Sequence, residues 1–255
     1  YHAAFSFAGA YRRLFAHGDA GGVLPQFPML ALATLLFAPM LASGQGIGVE
    51  AGGAVAPVAV AGAIGAFMFG VGMQLAGGCG SGTLYTAGGG NARMVIVLIA
   101  FCAGGFAATF HVPAWRTLPA TEPIALGAAI GWPAAVVLQL AVLCALYVWL
   151  ASCAHGRAIP RPAPPRGWGR VLAGPWPMLA GALLLAVLNA ATLAVAGHPW
   201  GITWGFTLWA AKAAAALGWN PDGTEYWREG WPRDALEAGV LDDVTSVMNF
   251  GLALG

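Results

Sequence analysis

The stretch Ile124–Ala151, IALGAAIGWPAAVVLQLAVLCALYVWLA, decides the class of fold, because it contains no charged residue. About 20 consecutive apolar residues are enough for a helix to cross the hydrocarbon core of a bilayer. The rest of the chain has the same character, with 59% hydrophobic and 8% charged residues, against about 25% charged in a soluble domain. So few charges cannot cover a water-facing surface, and the sequence predicts an all-α, polytopic membrane protein.

Several further apolar runs are long enough to span a membrane. Besides the first stretch they are Phe27–Ser43, Val55–Ala76, Met94–His111 and Trp176–Ala196, with another that starts near Val240. If Arg12 and Arg13 are cytoplasmic, the four of these five spans that precede the Arg- and Pro-rich connector 157–170 place it in the cytoplasm as well. The positive-inside rule requires this distribution of arginine.

Two other apolar segments, Gly77–Gly90 and Gly201–Leu217, are too short or too broken to span comfortably. We expect both to enter the membrane and return, although a crossing by the second segment is the alternative. Broken helices at corresponding positions are typical of transporters built from repeats. The sequence therefore predicts two inverted, pseudo-symmetric halves, with a first half at 1–156, the connector at 157–170 and the start of a second half at 171–255.

The two ends of the chain both fall within apolar sequence. It opens on YHAAFSFAGAYRRLF, which resembles the tail of a helix, and it closes on VMNFGLALG inside an apolar run. We therefore expect the sequence to be a fragment that lacks both ends of a longer protein.

Charge and cysteine content argue against several classes of function. The net charge of +1 gives no basic surface for nucleic acid. The four cysteines, at 79, 102, 144 and 153, have no CxxC or Cys/His spacing, so neither a metal site nor a redox motif is indicated. A P-loop is excluded, because no Gly-Lys-Ser/Thr follows the glycines around Cys79. No His or acid lies close in sequence to Cys79 that could act as its base. We expect no cofactor and no catalytic residue.

The glycine-rich segment Gly77–Gly90, GGCGSGTLYTAGGG, is the predicted binding site. Glycines leave backbone N–H groups uncovered, and a short helix that starts at Ser81 or Thr83 would turn its positive end toward the same spot. The thiol of Cys79 is a weak donor suited to a sulfur-bearing anion. The predicted site residues of this segment and its approach are Gln74, Gly78, Cys79, Gly80, Ser81, Gly82 and Thr83. The alternative is that the glycines only allow close helix packing.

Lys212 is the only lysine of the chain, and it lies within the second short apolar segment. Either it faces a pathway and attracts the anion, or its stem carries the amine to the membrane surface. Trp200, Trp204 and Trp209 are most simply anchors at the membrane interface. A polar residue within 245–249 is expected to cap a helix.

Three motifs occur in order along the chain: GGCGSGTLYTAGGG at 77–90, GHPWGITWGFTLWAAK at 197–212 and DVTSVMNFG at 243–251. Together they resemble the YeeE/YedE family of bacterial inner-membrane proteins. The resemblance implies uptake of thiosulfate between pseudo-symmetric halves whose short helices meet at mid-membrane, where cysteines hydrogen-bond the anion. By position, only Cys79 matches such a cysteine. A partner in the second half would lie beyond Gly255, and an N-terminal one near Ser6 or before Tyr1.

The resemblance and the residues together predict a transporter that takes up a small sulfur oxyanion, thiosulfate first, through a cysteine-lined constriction. The implied partners are this anion, the lipid bilayer and a small soluble sulfurtransferase-like protein. Three alternatives stay open. The substrate is another sulfur or selenium compound, the protein is a sulfur carrier or sulfurtransferase that forms a persulfide on Cys79, or it is a structural membrane subunit without a pathway.

Overall fold

The computed structural model describes residues 3, 5–154 and 176–255. In these ranges the chain is helical, and extended pairing is limited to two isolated bridges. The connector predicted at 157–170 lies outside the described residues. The helices are α1 (Phe7–His17), α2 (Gln26–Ser43), α3 (Val60–Ala76), α4 (Gly80–Gly88), α5 (Ala92–Thr109), α6 (Val112–Arg116), α7 (Leu126–Ile130), α8 (Trp132–Cys153), α9 (Met178–Ala196), α10 (Ile202–Ala216), α11 (Glu225–Arg228), α12 (Trp231–Glu237) and α13 (Val244–Leu254).

Five of the described helical segments are long and apolar enough to cross a membrane. They are Ala20–Ser43, Val60–Gly88, Ala92–Thr109, Trp132–Cys153 and Met178–Ala196. Two of them, at Ala92 and Met178, begin within two residues of a predicted run. Ala20 lies seven residues before its run, and Val60 and Trp132 lie five and eight residues inside theirs. The prediction of an all-α, polytopic membrane protein is confirmed.

The prediction of one unbroken span over Ile124–Ala151 is wrong. Gly131 has φ 86° and ψ 143°, which no helix contains, and it separates α7 from α8. Pro133 follows in the first turn of α8, where its missing N–H costs no hydrogen bond. The indole ring of Trp132 also occupies the space beside Gly127. Apolar composition hid this break, because glycine and proline are tolerated in membrane helices.

The described chain forms two compact units that alternate along the sequence. Residues 1–56 and 124–199 form the first unit, and residues 57–123 and 200–255 form the second. The chain passes from one unit to the other beside Pro57, Pro123 and Pro199. Each unit therefore contains helices from both of the sequence segments predicted as halves, and the division into inverted halves stays a prediction.

The first unit is built around α2, which packs against both α8 and α9. The loop after α2 hydrogen-bonds to the end of α9, since Ile47 N–H donates to the Ala194 carbonyl at 2.6 Å and Gly52 N–H to the Gly197 carbonyl at 2.8 Å. Ser6, at the position where the resemblance suggested a cysteine, caps α1 by accepting from Gly9 N–H at 3.1 Å.

The second unit contains both short segments predicted to re-enter the membrane, as α4 and α10. Each of these helices packs against both α5 and α13. The contact of α4 with α13 is close, because the carbonyl of Ala253 occupies the space that a side chain at Gly88 would need. Trp227 is fully buried against α10 and donates its indole N–H to the Thr109 hydroxyl at 2.9 Å. The second unit therefore brings two short helices together in one packed group.

Candidate functional site

Helix α4 begins at Gly80, slightly earlier than the predicted starts at Ser81 or Thr83. Cys79 precedes it with extended backbone angles, φ −78° and ψ 176°, and its carbonyl accepts the first hydrogen bond, from Thr83 N–H at 2.8 Å. The N–H groups of residues 80–82 have no partner among the described residues, as is usual for the first turn of a helix. Gly77, which ends α3 with φ 81°, makes the sharp entry to this turn. The result is a set of uncommitted donors at the positive end of α4.

The thiol of Cys79 lies at the same end of α4. Its Sγ is 3.3 Å from Ser81 Oγ, within hydrogen-bond distance, and the side chain is half-buried. Gly82 leaves the sulfur uncovered, since a Cβ there would lie 3.6 Å from Sγ. Cys79 therefore presents a neutral, polarisable donor with a hydroxyl beside it, and no charged side chain of the described residues hydrogen-bonds to it.

Gly80 is the point at which α4 meets the start of α10. A Cβ at Gly80 would lie 3.6 Å from each of three side chains of α10, those of Ile202, Thr203 and Phe206. The N–H groups of Ile202 and Thr203 also have no partner among the described residues, and the next one, of Trp204, donates to Gly201 at 2.8 Å. The first turns of two short helices thus lie against each other. The positive partial charges of the two helix N-termini therefore act on the same place, and they favour the binding of an anion there.

Helix α13 holds the start of α10 through a row of indole hydrogen bonds. The donors and acceptors are Trp200 to Asn249 at 3.0 Å, Trp204 to Asp243 at 3.3 Å and Trp209 to Ser246 at 2.8 Å. The acceptors are spaced three residues apart, so they lie along one face of α13. A polar partner at α13 thus satisfies each of these indole N–H groups, and their role as interfacial anchors stays a prediction.

Asn249 makes the most direct link between α13 and α10. Its side chain is fully buried, accepts from Trp200 and donates to the Ile202 carbonyl at 3.0 Å. Its amide also fills the space beside Gly205. The expectation that a residue within 245–249 caps α13 is wrong, since Asp243 does so by accepting from Ser246 N–H at 2.7 Å.

The ammonium of Lys212 binds backbone carbonyls at the end of α12. Nζ donates to Leu236 O at 2.8 Å and to Ala238 O at 2.6 Å. Cations at a helix C-terminus are favourable because the last carbonyls have no helical partner. Lys212 lies six residues beyond Phe206, or about 9 Å along the helix axis. Two of the three N–H donors of the Lys212 ammonium are thus occupied. That Lys212 attracts the anion stays a prediction.

The remaining predicted site residues are not equally close to this end of α4. Gly78, Ser81, Gly82 and Thr83 all lie within a turn of Cys79. Gln74 lies on α3 with an exposed side chain and has no hydrogen bond to any of them among the described residues. The sequence therefore singled out one cluster beside Cys79, whose role as a binding site stays a prediction, but it gave no sign that Ile202, Thr203 and Phe206 face it.

Thr203 also lines a cleft of about 350 Å³ in the second unit. Other walls of the cleft are Trp204, Thr207, Tyr226 and Trp231. Burial raises the pKa of Tyr226, and the nearby Arg116 opposes part of that shift. The tyrosine hydroxyl therefore remains a neutral donor at physiological pH. Three of the five named walls carry hydroxyl groups, so the cleft offers polar contacts beside the start of α10.

The comparison with known families bears on this geometry. The model of the sulphur transport family, the YeeE/YedE family, matches residues 2–255. The chain belongs to this family. Searches of the curated proteins and of the solved structures returned no match. Membership of the sulphur transport family, together with the five apolar helices, makes the chain a multi-pass membrane protein of sulfur-compound transport.

Proposed function

We propose that this protein takes up thiosulfate, or a closely related sulfur oxyanion, across a bacterial inner membrane. The anion would pass a constriction at the first turn of α4. The observation that carries the proposal is the approach of Gly80 to the start of α10, where a Cβ at Gly80 would lie 3.6 Å from three side chains, beside the thiol of Cys79.

The chemistry of this place suits an anion that must be released again. Backbone N–H groups and two helix ends favour negative charge without a fixed cation. Conduction requires binding that is weak enough to leave. Lys212, the cation of α10, is occupied by the carbonyls of Leu236 and Ala238. A neutral site of this kind would hold a divalent oxyanion briefly.

In this proposal, Cys79 makes the site specific for a sulfur-bearing anion. A thiol is a weak and polarisable donor, so it matches the terminal sulfur of thiosulfate better than the oxygen of sulfate. Ser81, 3.3 Å away, would orient the thiol. Gly78, Gly80 and Gly82 would let the anion approach the backbone, because a bulky side chain at any of them would fill that space. Gln74 would line the approach from α3.

Labelled thiosulfate uptake in cells that carry the full-length protein tests the proposal. We expect Cys79→Ala and Cys79→Ser both to lose most uptake at equal membrane abundance, because neither replacement offers a thiol. Cys144→Ala is the matched control, since Cys144 is an exposed thiol in the middle of α8. Uptake kept by Cys79→Ala would leave the glycine-rich segment with a packing role only.

Mass spectrometry of the protein purified from these cells distinguishes transport from sulfur transfer. A sulfur carrier would hold a persulfide on Cys79 and would need an activated thiolate. The hydrogen-bond partner of the Cys79 thiol is a serine hydroxyl, which is no base, and this favours transport. We expect intact-mass spectrometry of purified protein to find Cys79 as a free thiol after exposure to thiosulfate. A stable sulfur adduct on Cys79 would favour the carrier, with a soluble sulfurtransferase-like protein as its acceptor.

A further inference from the structure

The hydroxyl of Thr83 is buried without a hydrogen-bond partner. Thr83 is 0% exposed, and its Oγ1 is the one enclosed side-chain oxygen among the described residues that has no partner. Leaving a buried polar group unpaired costs about 1–3 kcal/mol. Such a group in a folded protein calls for a physical reason.

Other helical threonines of this chain show what Thr83 does not do. Thr34, Thr86, Thr192 and Thr207 each donate to the carbonyl four residues earlier, at 2.7–3.2 Å. The equivalent carbonyl for Thr83 is that of Cys79, which accepts the backbone N–H of Thr83 at 2.8 Å but does not accept its hydroxyl. The Thr83 hydroxyl is therefore kept free of the local bond that a helix ordinarily offers it.

The position of this hydroxyl places it with the other donors of the site. Helical side chains tilt toward the N-terminus of their helix, so the Thr83 side chain points to the end of α4 that carries Cys79. A Cβ at Gly78 would lie 3.5 Å from Thr83 Oγ1. The hydroxyl thus lies beside Gly78, toward the end of α4 whose first N–H groups are unpaired.

We infer that the Thr83 hydroxyl donates a hydrogen bond to an oxygen of the transported anion, and that Gly78 moves aside to admit it. The inference rests on the proposed function and adds a residue that determines specificity. The Cys79 thiol would face the soft sulfur end of the ligand, and the Thr83 hydroxyl its hard oxygen end. The substrate class is then a sulfur anion with both kinds of atom, rather than a sulfide without oxygen.

The backbone beside the Thr83 hydroxyl, at Gly77 and Gly78, is able to move. Gly77 has φ 81°, a conformation that side chains disfavour, and Gly78 follows it directly. Two consecutive glycines change backbone angles at little steric cost. Displacement of Gly78 would uncover Oγ1 while α4 stays in place, because residues 80–88 are fixed by α5 and α13.

Binding of thiosulfate to the purified full-length protein tests the inference through Thr83→Val, a change of nearly equal shape. We expect thiosulfate affinity to fall about tenfold or more, as for a lost hydrogen bond to a charged group. We also expect the melting temperature without ligand to be unchanged or higher, because an unpaired buried hydroxyl has been removed. Thr86→Val is the matched control, since Thr86 is exposed and its hydroxyl bonds to Gly82 O. It should bind thiosulfate like the wild type.

A second pair of variants keeps the test decisive if Thr83→Val folds poorly. Thr83→Ser and Thr83→Ala differ by the hydroxyl alone. We expect the affinity of Thr83→Ser for thiosulfate to be at least about tenfold higher than that of Thr83→Ala. Equal affinity of these two variants would overturn the role of Thr83 while leaving the proposed function intact. Absence of thiosulfate binding in the wild type, by contrast, would overturn the proposed function itself.

Discussion

Replacing Asn249 by alanine removes the link between α13 and the start of α10. The side chain is fully buried and makes two bonds of 3.0 Å, from Trp200 and to the Ile202 carbonyl. Hydrogen bonds between membrane helices average about 0.6 kcal/mol each, and a buried partner left unpaired costs about 1–3 kcal/mol. We therefore expect Asn249→Ala to lower the free energy of unfolding by about 2–4 kcal/mol.

The assay is thermal unfolding of the purified protein in detergent, followed by thiosulfate uptake in cells. A loss of this size corresponds to a fall in melting temperature of roughly 4–16 °C. The matched control is Asn189→Ala, because Asn189 is exposed on α9 and its amide donates only within its own helix, to Leu185 O at 2.9 Å. It should shift the melting temperature by less than about 2 °C.

Uptake should fall with Asn249→Ala as well, since Ile202 belongs to the turn that faces Gly80. The reasoning would be refuted if Asn249→Ala and Asn189→Ala melted at the same temperature. In that case the two bonds of Asn249 would not hold α10 in place, and the arrangement of the two helix ends would need another cause.

Two further predictions concern the packing of α10. A methyl at Gly80 would make ordinary contacts of 3.6 Å, so Gly80→Ala should keep most thiosulfate uptake. Gly80→Leu adds side-chain atoms for which there is no room. It should lower the free energy of unfolding by about 1–3 kcal/mol and abolish most of the uptake. Unchanged uptake in Gly80→Leu would support a structural subunit. Lys212→Met frees the carbonyls of Leu236 and Ala238, so amide hydrogen exchange at 236–239 should accelerate about tenfold. Lys212→Arg, which retains the charge, is the control, and equal exchange in both variants would argue against these bonds.

The fold class could be predicted from the sequence because it depends on local quantities. A run such as Trp176–Ala196 carries no charge, so water cannot solvate it, and its length matches a bilayer. The break at Gly131 escaped prediction for a related reason. Glycine and proline are ordinary in membrane helices, and composition does not show which of them leaves helical backbone angles.

The glycine-rich segment could also be located from the sequence, since a cysteine among glycines is a local pattern. Its surroundings could not be predicted. Gly80 and Ile202 are far apart in the chain, and their contact depends on how α4 and α10 pack against α5 and α13. The hydrogen bonds of Trp200, Trp204 and Trp209 could not be predicted for the same reason, because their partners lie on α13 and at its cap.

By itself, the sequence determined the medium, the helical class and the segment that carries the thiol. These follow from hydrophobicity, helix length and the conformational freedom of glycine. Only the tertiary structure decided that two helix starts meet at Gly80, that Asn249 holds one of them, and that Thr83 keeps an unpaired hydroxyl beside Gly78. Each of these depends on which distant side chain fills or leaves a given space, and no local pattern contains that information.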